Sequence, residues 1–286
     1  MAQRTTLKPL DDGLRTELQA IADKKSTTII SFVAPQGVRT SPVTFASASI
    51  EDAEMYRLEE IIKQATDKQA TESLHFVVHT PGGEMFASYK IASFLRSRFT
   101  HISAFVPYEA ASGGTILCCA ANELHIGELG NLTPIDPQIR YHGHHVSCYA
   151  FLRVVDSIQG EYGEMSPEEL PSPWRQMAEK LEPVIYDEMS TLVFTSVICA
   201  KRLLEKSGYP KEVAMKVANF LTRNYYSHAF PVFAKEAEEI GFIVKPNDDD
   251  MKIYGKLVSC RLQQEFSRHA IDAFFPTPPA TGGISP

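Results

Sequence analysis

Thr80-Pro81-Gly82-Gly83, answered downstream by Ala111-Ser112-Gly113-Gly114-Thr115, is the pair of stretches that decides the fold. Each follows a short apolar run and precedes a helix-like one. Ser73-Leu74-His75-Phe76-Val77-Val78-His79 is rich in apolar and β-branched residues and suits a buried parallel strand. Pro81 ends it, because proline has no N–H for the ladder. From Glu84 to about Phe99 the pattern is helical: Phe86, Tyr89, Ile91 and Leu95 mix with Ala, Lys and Arg, without Pro or Gly. Gly82 and Gly83 therefore lie between a strand and a helix N-terminus. There glycine lets another backbone or a ligand approach closely, and N–H groups without helical partners face it.

The second half repeats this grammar. Ile102-Ser103-Ala104-Phe105-Val106 predicts a strand, Pro107 stops it, and Ala110 to Ala121 is small and apolar enough for a buried helix with Ser112 at its start. A serine there is accounted for by N-capping alone. Gly113 and Gly114 are not, since each costs about 0.5–1 kcal/mol against Ala in a first turn. Close approach of a substrate explains that cost. Glu123-Leu124-His125-Ile126-Gly127 predicts the next strand, and Glu128 to Gln138 is turn-rich. Strands alternating with helices imply a parallel sheet with right-handed crossovers, which binds ligands beyond its C-terminal strand ends. Both glycine loops fall at that edge. N–H groups facing a serine hydroxyl are what acyl transfer requires.

His79-Thr80-Pro81-Gly82-Gly83, a helix of the IASFLRSRF type, then ASGGT and then GNLTPIDPQ (residues 130–138) resemble the serine dehydrogenase proteinase family. That family stands with signal peptide peptidase A-like enzymes in the Clp protease/crotonase superfamily. The resemblance covers roughly residues 10–245 and is sharp over 75–140. It implies an α/β, ClpP/crotonase-like fold of stacked βαβ units over residues 1–245. Beyond the resemblance, the residues themselves read as a helical C-terminal extension over 246–275 and, from the Pro- and Gly-rich composition, a disordered tail over 276–286. The resemblance also implies a homo-oligomeric serine peptidase acting on peptide or protein. Ser112 would be the nucleophile, and Gly83 and Gly113 would donate N–H groups to the oxyanion, with Gly82 and Gly114 beside them. The same fold also serves acyl-CoA enzymes of the crotonase type and catalytically silent assembly modules, so both remain alternatives.

The proton acceptor is less legible. Where Clp proteases keep their histidine, this chain has Asp136-Pro137; where signal-peptide peptidases keep their lysine, it has Arg153. Arginine stays protonated and cannot serve as a base. Lys180, on an expected helix after an acidic loop, is the first lysine downstream and the predicted base, provided desolvation lowers its pKa. Tyr141-His142-Gly143-His144-His145 offers imidazoles but no paired carboxylate or cysteine, and reads as an exposed loop or hairpin rather than a metal site. His228 lies near where Clp proteases keep their acid. With no acid evident beside it, it reads as structural.

The 286 residues carry a net charge of −7 without a basic patch, which argues against nucleic acid as a partner. No apolar run is long enough to span a membrane and no signal-peptide core opens the chain, so the expected location is cytoplasmic. The five cysteines form no CxxC pair, and Cys118 and Cys119 are expected in the core. No GxGxxG fingerprint or pyridoxal-phosphate lysine is evident, so no cofactor and no metal are predicted. Gln159 to Pro173, with four acids, reads as a mobile loop. Trp174–Thr191, Leu192–Lys206 and Lys211–Leu221 read as helices, and Asp248 starts another running to about Phe275.

Overall fold

The computed structural model describes residues 7–34, 48–66, 71–141, 143–166, 168–180, 182–264 and 268–277. Its centre is a five-stranded sheet. The strands β1 (Thr28–Val33), β2 (Ser73–His79), β3 (His101–Val106) and β5 (Glu123–Ile126) run parallel, and β9 (Ala270–Phe274) closes the edge antiparallel to β1, in the order β5-β3-β2-β1-β9. β1 is buried at every position and β2 and β3 at nearly every one, which is why their sequences are continuous apolar runs rather than alternations.

Side chains nevertheless divide by parity between two cores. Ile29, Val33, Val77 and Phe105 face α1 (Asp12–Lys25) and α10 (Asp249–Leu262), meeting Leu14, Leu18, Tyr254 and Leu257. Ile30, Phe32, Phe76, Val78 and Ala104 face the other way. There they pack with α2 (Asp52–Thr66), α3 (Met85–Arg98), α4 (Gly113–Cys118), α7 (Pro183–Lys206) and α8 (Lys211–Arg223). The strand-to-strand crossovers through α2, α3 and α4 leave the β2 and β3 C-terminal ends on one edge. Two short pieces, β4 (Glu109–Ala110) and β6 (Asn131–Leu132), pair in parallel just beyond that edge.

Several sequence expectations change. The helix expected over Ala110–Ala121 is only Gly113–Cys118, because Ala110 is drawn into β4. A hairpin of β7 (Gln138–Tyr141) and β8 (His144–Ser147) leads into α5 (Cys148–Tyr162), which absorbs the first residues of the expected loop at 159–173. α6 (Ser172–Ala178) is shorter than predicted. α7 runs unbroken through Thr191-Leu192, since Met189 and Val193 on either side of that point pack together against Cys148 and Leu152 of α5. The segment 246–275 is not one helix. α10 ends at Leu262, and β9 then joins the main sheet, anchored where Asp272 binds Arg261 and Ser31. The expected tail lies outside the described residues from 278 onward. Among the described residues no helix is long and apolar enough to cross a membrane.

Candidate active site

Ser112 sits at the joint between β4 and α4 with φ 50° and ψ −108°, one of two described non-glycine residues at positive φ. Such backbone costs on the order of 1–3 kcal/mol and persists only where its surroundings fix it. Here they do. The Ser112 amide donates to Thr133 Oγ1 at 2.8 Å, and Thr115 Oγ1 lies 2.8 Å from both the Ala110 and the Thr133 carbonyl oxygens. The Ser112 side chain makes no cap bond, so the capping role open to it in the sequence is unused. The hydroxyl is half-buried and uncommitted among the described residues.

The Thr80-Pro81-Gly82-Gly83 loop lies directly against this joint. The Thr80 amide donates to the Glu109 carbonyl at 3.0 Å and the Ala111 amide to the Thr80 carbonyl at 2.9 Å, tying β2 to the residues before Ser112. On its other side the loop pairs with Ile50: Ile50 N–H donates to Gly82 O at 2.9 Å and Glu84 N–H to Ile50 O at 3.0 Å. That pairing does not use the Gly83 N–H. Gly113 is the first residue of α4, so its N–H has no intrahelical acceptor. The two amides are neighbours, since a Cβ on Gly113 would stand 3.1 Å from Gly83 N.

Crowding explains the glycines. A Cβ on Gly82, whose φ is +97°, would meet Ala111 O at 2.7 Å and Ser112 Cβ at 2.8 Å. One on Gly83 would meet Ile50 O at 2.6 Å and Ile50 Cα at 2.7 Å, and one on Gly114 the Thr80 methyl at 2.6 Å. The predicted Gly82, Gly83, Ser112, Gly113 and Gly114 thus come together in one place.

Lys180 does not share those contacts. It lies exposed in the turn after α6, its amide bonded to Met177 O at 3.1 Å, and its ammonium pairs with nothing among the described residues. Arg153 stacks over Tyr149 and Tyr226, with its guanidinium carbon 5.1 and 4.9 Å from the ring centres. His144 and His145 lie exposed in the β7–β8 hairpin; His142 is outside the described residues. Cys118 and Cys119 are core thiols: burial pushes Cys118 up to about 12 and Cys119 higher, which removes them as competing nucleophiles.

One pairing escaped the sequence reading. His228 Nδ1 lies 2.7 Å from Asp136 Oδ1, and the Asp136 carboxylate is buried and also accepts from Gln138 Nε2 at 2.8 Å. Asp136 is three residues after Thr133, which holds the Ser112 amide. His228 is four before Val232, which pairs with Leu132. The two residues lie 92 positions apart in the chain, so neither carries a signal for the other when read alone.

Over 282 residues the chain is 24% identical to the uncharacterized protein MJ0137 of Methanocaldococcus jannaschii, covering 95% of this chain and 88% of that protein. Over 239 residues it is 25% identical to the uncharacterized protein MJ1495 of the same organism, covering 80% and 70%. Among solved structures, the 1510-N membrane-bound stomatin-specific protease in complex with a substrate peptide aligns at a TM-score of 0.44 and 15% identity. That alignment covers 71% of this chain and 74% of that one. Residues 5–161, more than half of the sequence, match the ClpP-like SDH-type serine proteinases. This span holds both glycine loops, Ser112 and Asp136, whereas Lys180 and His228 lie beyond it. By that match the chain belongs to the ClpP-like SDH-type serine proteinase family.

Proposed function

We propose that this chain is a serine peptidase that cleaves peptide or protein substrates through Ser112. The observation that carries the reading is Ser112 at positive φ with the Gly83 and Gly113 amides packed beside it. Ser112 Oγ adds to the scissile carbonyl carbon as its proton passes to an acceptor. The carbonyl oxygen becomes an oxyanion facing the two amides, a geometry in which one donor is worth about 3–4 kcal/mol in characterised serine proteases. Collapse breaks the C–N bond, and the amine leaves with the proton. Water then adds to the ester, and the same steps reversed in role release the acid and restore Ser112.

Two groups are proposed as acceptor. Lys180 is the lysine the sequence points to, and its ammonium has no competing partner among the described residues. His228 is favoured by a specific observation, the 2.7 Å contact to the buried Asp136. A carboxylate behind an imidazole fixes its tautomer and stabilises the imidazolium that proton transfer creates. Assembly into a homo-oligomer belongs to the same proposal; Val184 and Phe194, 76% and 60% exposed on α7, supply apolar surface for it.

Release of fluorescent peptides from dye-labelled casein, compared between wild type and Ser112→Ala, tests the reading. Turnover lost in the variant supports it; equal turnover by both overturns it. The same assay on Lys180→Ala and His228→Gln assigns the acceptor to whichever variant loses turnover.

A further inference from the structure

Beneath the glycine loop lies a buried polar chain that the reaction above does not use. Thr80, His269 and Glu54 are 0%, 0% and 3% exposed, and they come from the end of β2, the residue before β9, and the first turn of α2. Thr80 Oγ1 accepts from the Gly82 N–H at 3.2 Å and lies 3.1 Å from His269 Nε2. His269 Nδ1 faces Glu54 Oε1 across 3.8 Å, beyond hydrogen-bonding distance, and makes no hydrogen bond among the described residues. Glu54 Oε2 accepts from the Glu51 amide at 3.0 Å, next to the Ile50 that pairs with the loop from its other side. The ring is held flat against Phe32, with centroids 4.3 Å apart, and Arg57 donates to the His269 carbonyl at 2.8 Å.

The donors and acceptors agree in one direction only. A buried carboxylate facing Nδ1 calls for the proton on Nδ1. Nε2 is then an acceptor, so the Thr80 hydroxyl donates to it. That leaves the oxygen's lone pairs turned toward the Gly82 N–H. Every hydrogen from Gly82 through Thr80 to His269 points toward Glu54. Thr80 and the ring are joined by a buried hydrogen bond, and Glu54 faces the other ring nitrogen as a charge rather than as a hydrogen-bond acceptor, which orients the ring. Thr80 also holds Ala111 through its backbone, so the chain sets the loop and the serine joint in one frame.

We propose that Thr80, His269 and Glu54 are positioning residues that fix the Gly82-Gly83 loop, and with it the Gly83 amide, against Ser112. The proposal rests on the serine-peptidase reading for its catalytic consequence. Misplacing a donor by about an ångström costs up to about a hundredfold in rate.

The full chain is treated with a fluorophosphonate probe, and the maximal rate of labelling and the half-saturating probe concentration are measured. Thr80→Val keeps the methyl that packs on Gly114 and removes the hydroxyl. The expected result is a maximal rate lowered about tenfold or more with half-saturation nearly unchanged, and recovery of the rate in Thr80→Ser. A Thr80→Val rate equal to wild type overturns the proposal. A second readout needs neither activity nor a variant: long-range proton–nitrogen NMR of the histidine rings in the wild type. His269 as the Nδ1–H tautomer supports the relay. An Nε2–H tautomer or an imidazolium at neutral pH overturns it. A wild type that takes no label defeats the serine-peptidase reading, while the ring tautomer still decides the relay.

Discussion

Gly83→Ala is the substitution whose outcome follows most directly from the packing. The added methyl would stand 2.6 Å from Ile50 O, 2.7 Å from Ile50 Cα and closer still to the Ile50 nitrogen. All three atoms are backbone, so no side chain can swing aside, and the loop and the Ile50 segment must separate. Separation breaks the two hydrogen bonds between Ile50 and the loop. At about 1 kcal/mol each, with some backbone strain, this amounts to roughly 2–3 kcal/mol. For a chain of this size that lowers Tm by roughly 5–10 °C. The Gly83 amide moves with the loop, so fluorophosphonate labelling of Ser112 should fall by about 10²-fold, the effect of losing one oxyanion donor. Gly143→Ala is the control for backbone strain alone: at φ +83° it also costs some stability, but its Cβ meets nothing within 4 Å and it lies in the β7–β8 turn, so labelling should be unchanged. A Gly83→Ala protein that labels within a few-fold of wild type at an unchanged Tm would refute the assignment of Gly83 as a donor pinned by Ile50.

Other outcomes follow from individual sites. Gly160 lies inside α5 with nothing within 4 Å of its Cβ position, so Gly160→Ala should raise stability by about 0.5–1 kcal/mol, read from a urea melt. Burial, and then the charges of Lys25 and His125, hold His75 down to about 4, so its imidazole is neutral in the fold. The unfolded chain takes up that proton near pH 6.5, so the contribution is fully present above 6.5 and is lost as pH falls toward 4. It amounts to about 3 kcal/mol, and urea midpoints that stay flat from pH 7 to 4.5 would contradict it. Arg261→Met leaves the Asp272 carboxylate without its buried partner and should cost about 3–5 kcal/mol, measured by the same melts.

The sequence was most readable where local chemistry and packing agree. β2 and β3 end where apolar, β-branched runs meet Pro81 and Pro107, because strands buried on both faces have no polar register to hide them. The glycine loops were legible for a related reason: at Gly82, Gly83 and Gly114 a Cβ collides with backbone or a packed methyl, so the residue type itself reports the crowding. What failed was non-local. Ala270 to Phe274 reads as the continuation of a helix, because it owes its strand state to pairing with β1, far away in the chain. Thr191-Leu192 reads as a break in α7, but the packing of Met189 and Val193 against α5 carries the helix through. The Asp136–His228 and Glu54–His269 pairs join residues far apart in the chain, and neither member signals its partner by spacing.

The central claim is that Ser112 is a nucleophile armed by the two glycine amides. Its most direct test is to react the wild-type protein with a fluorophosphonate probe and locate the adduct by peptide mass spectrometry. The account predicts one adduct, on Ser112, absent from Ser112→Ala while that variant keeps the wild-type Tm. A wild type left unmodified, or an adduct that persists in Ser112→Ala, would contradict it.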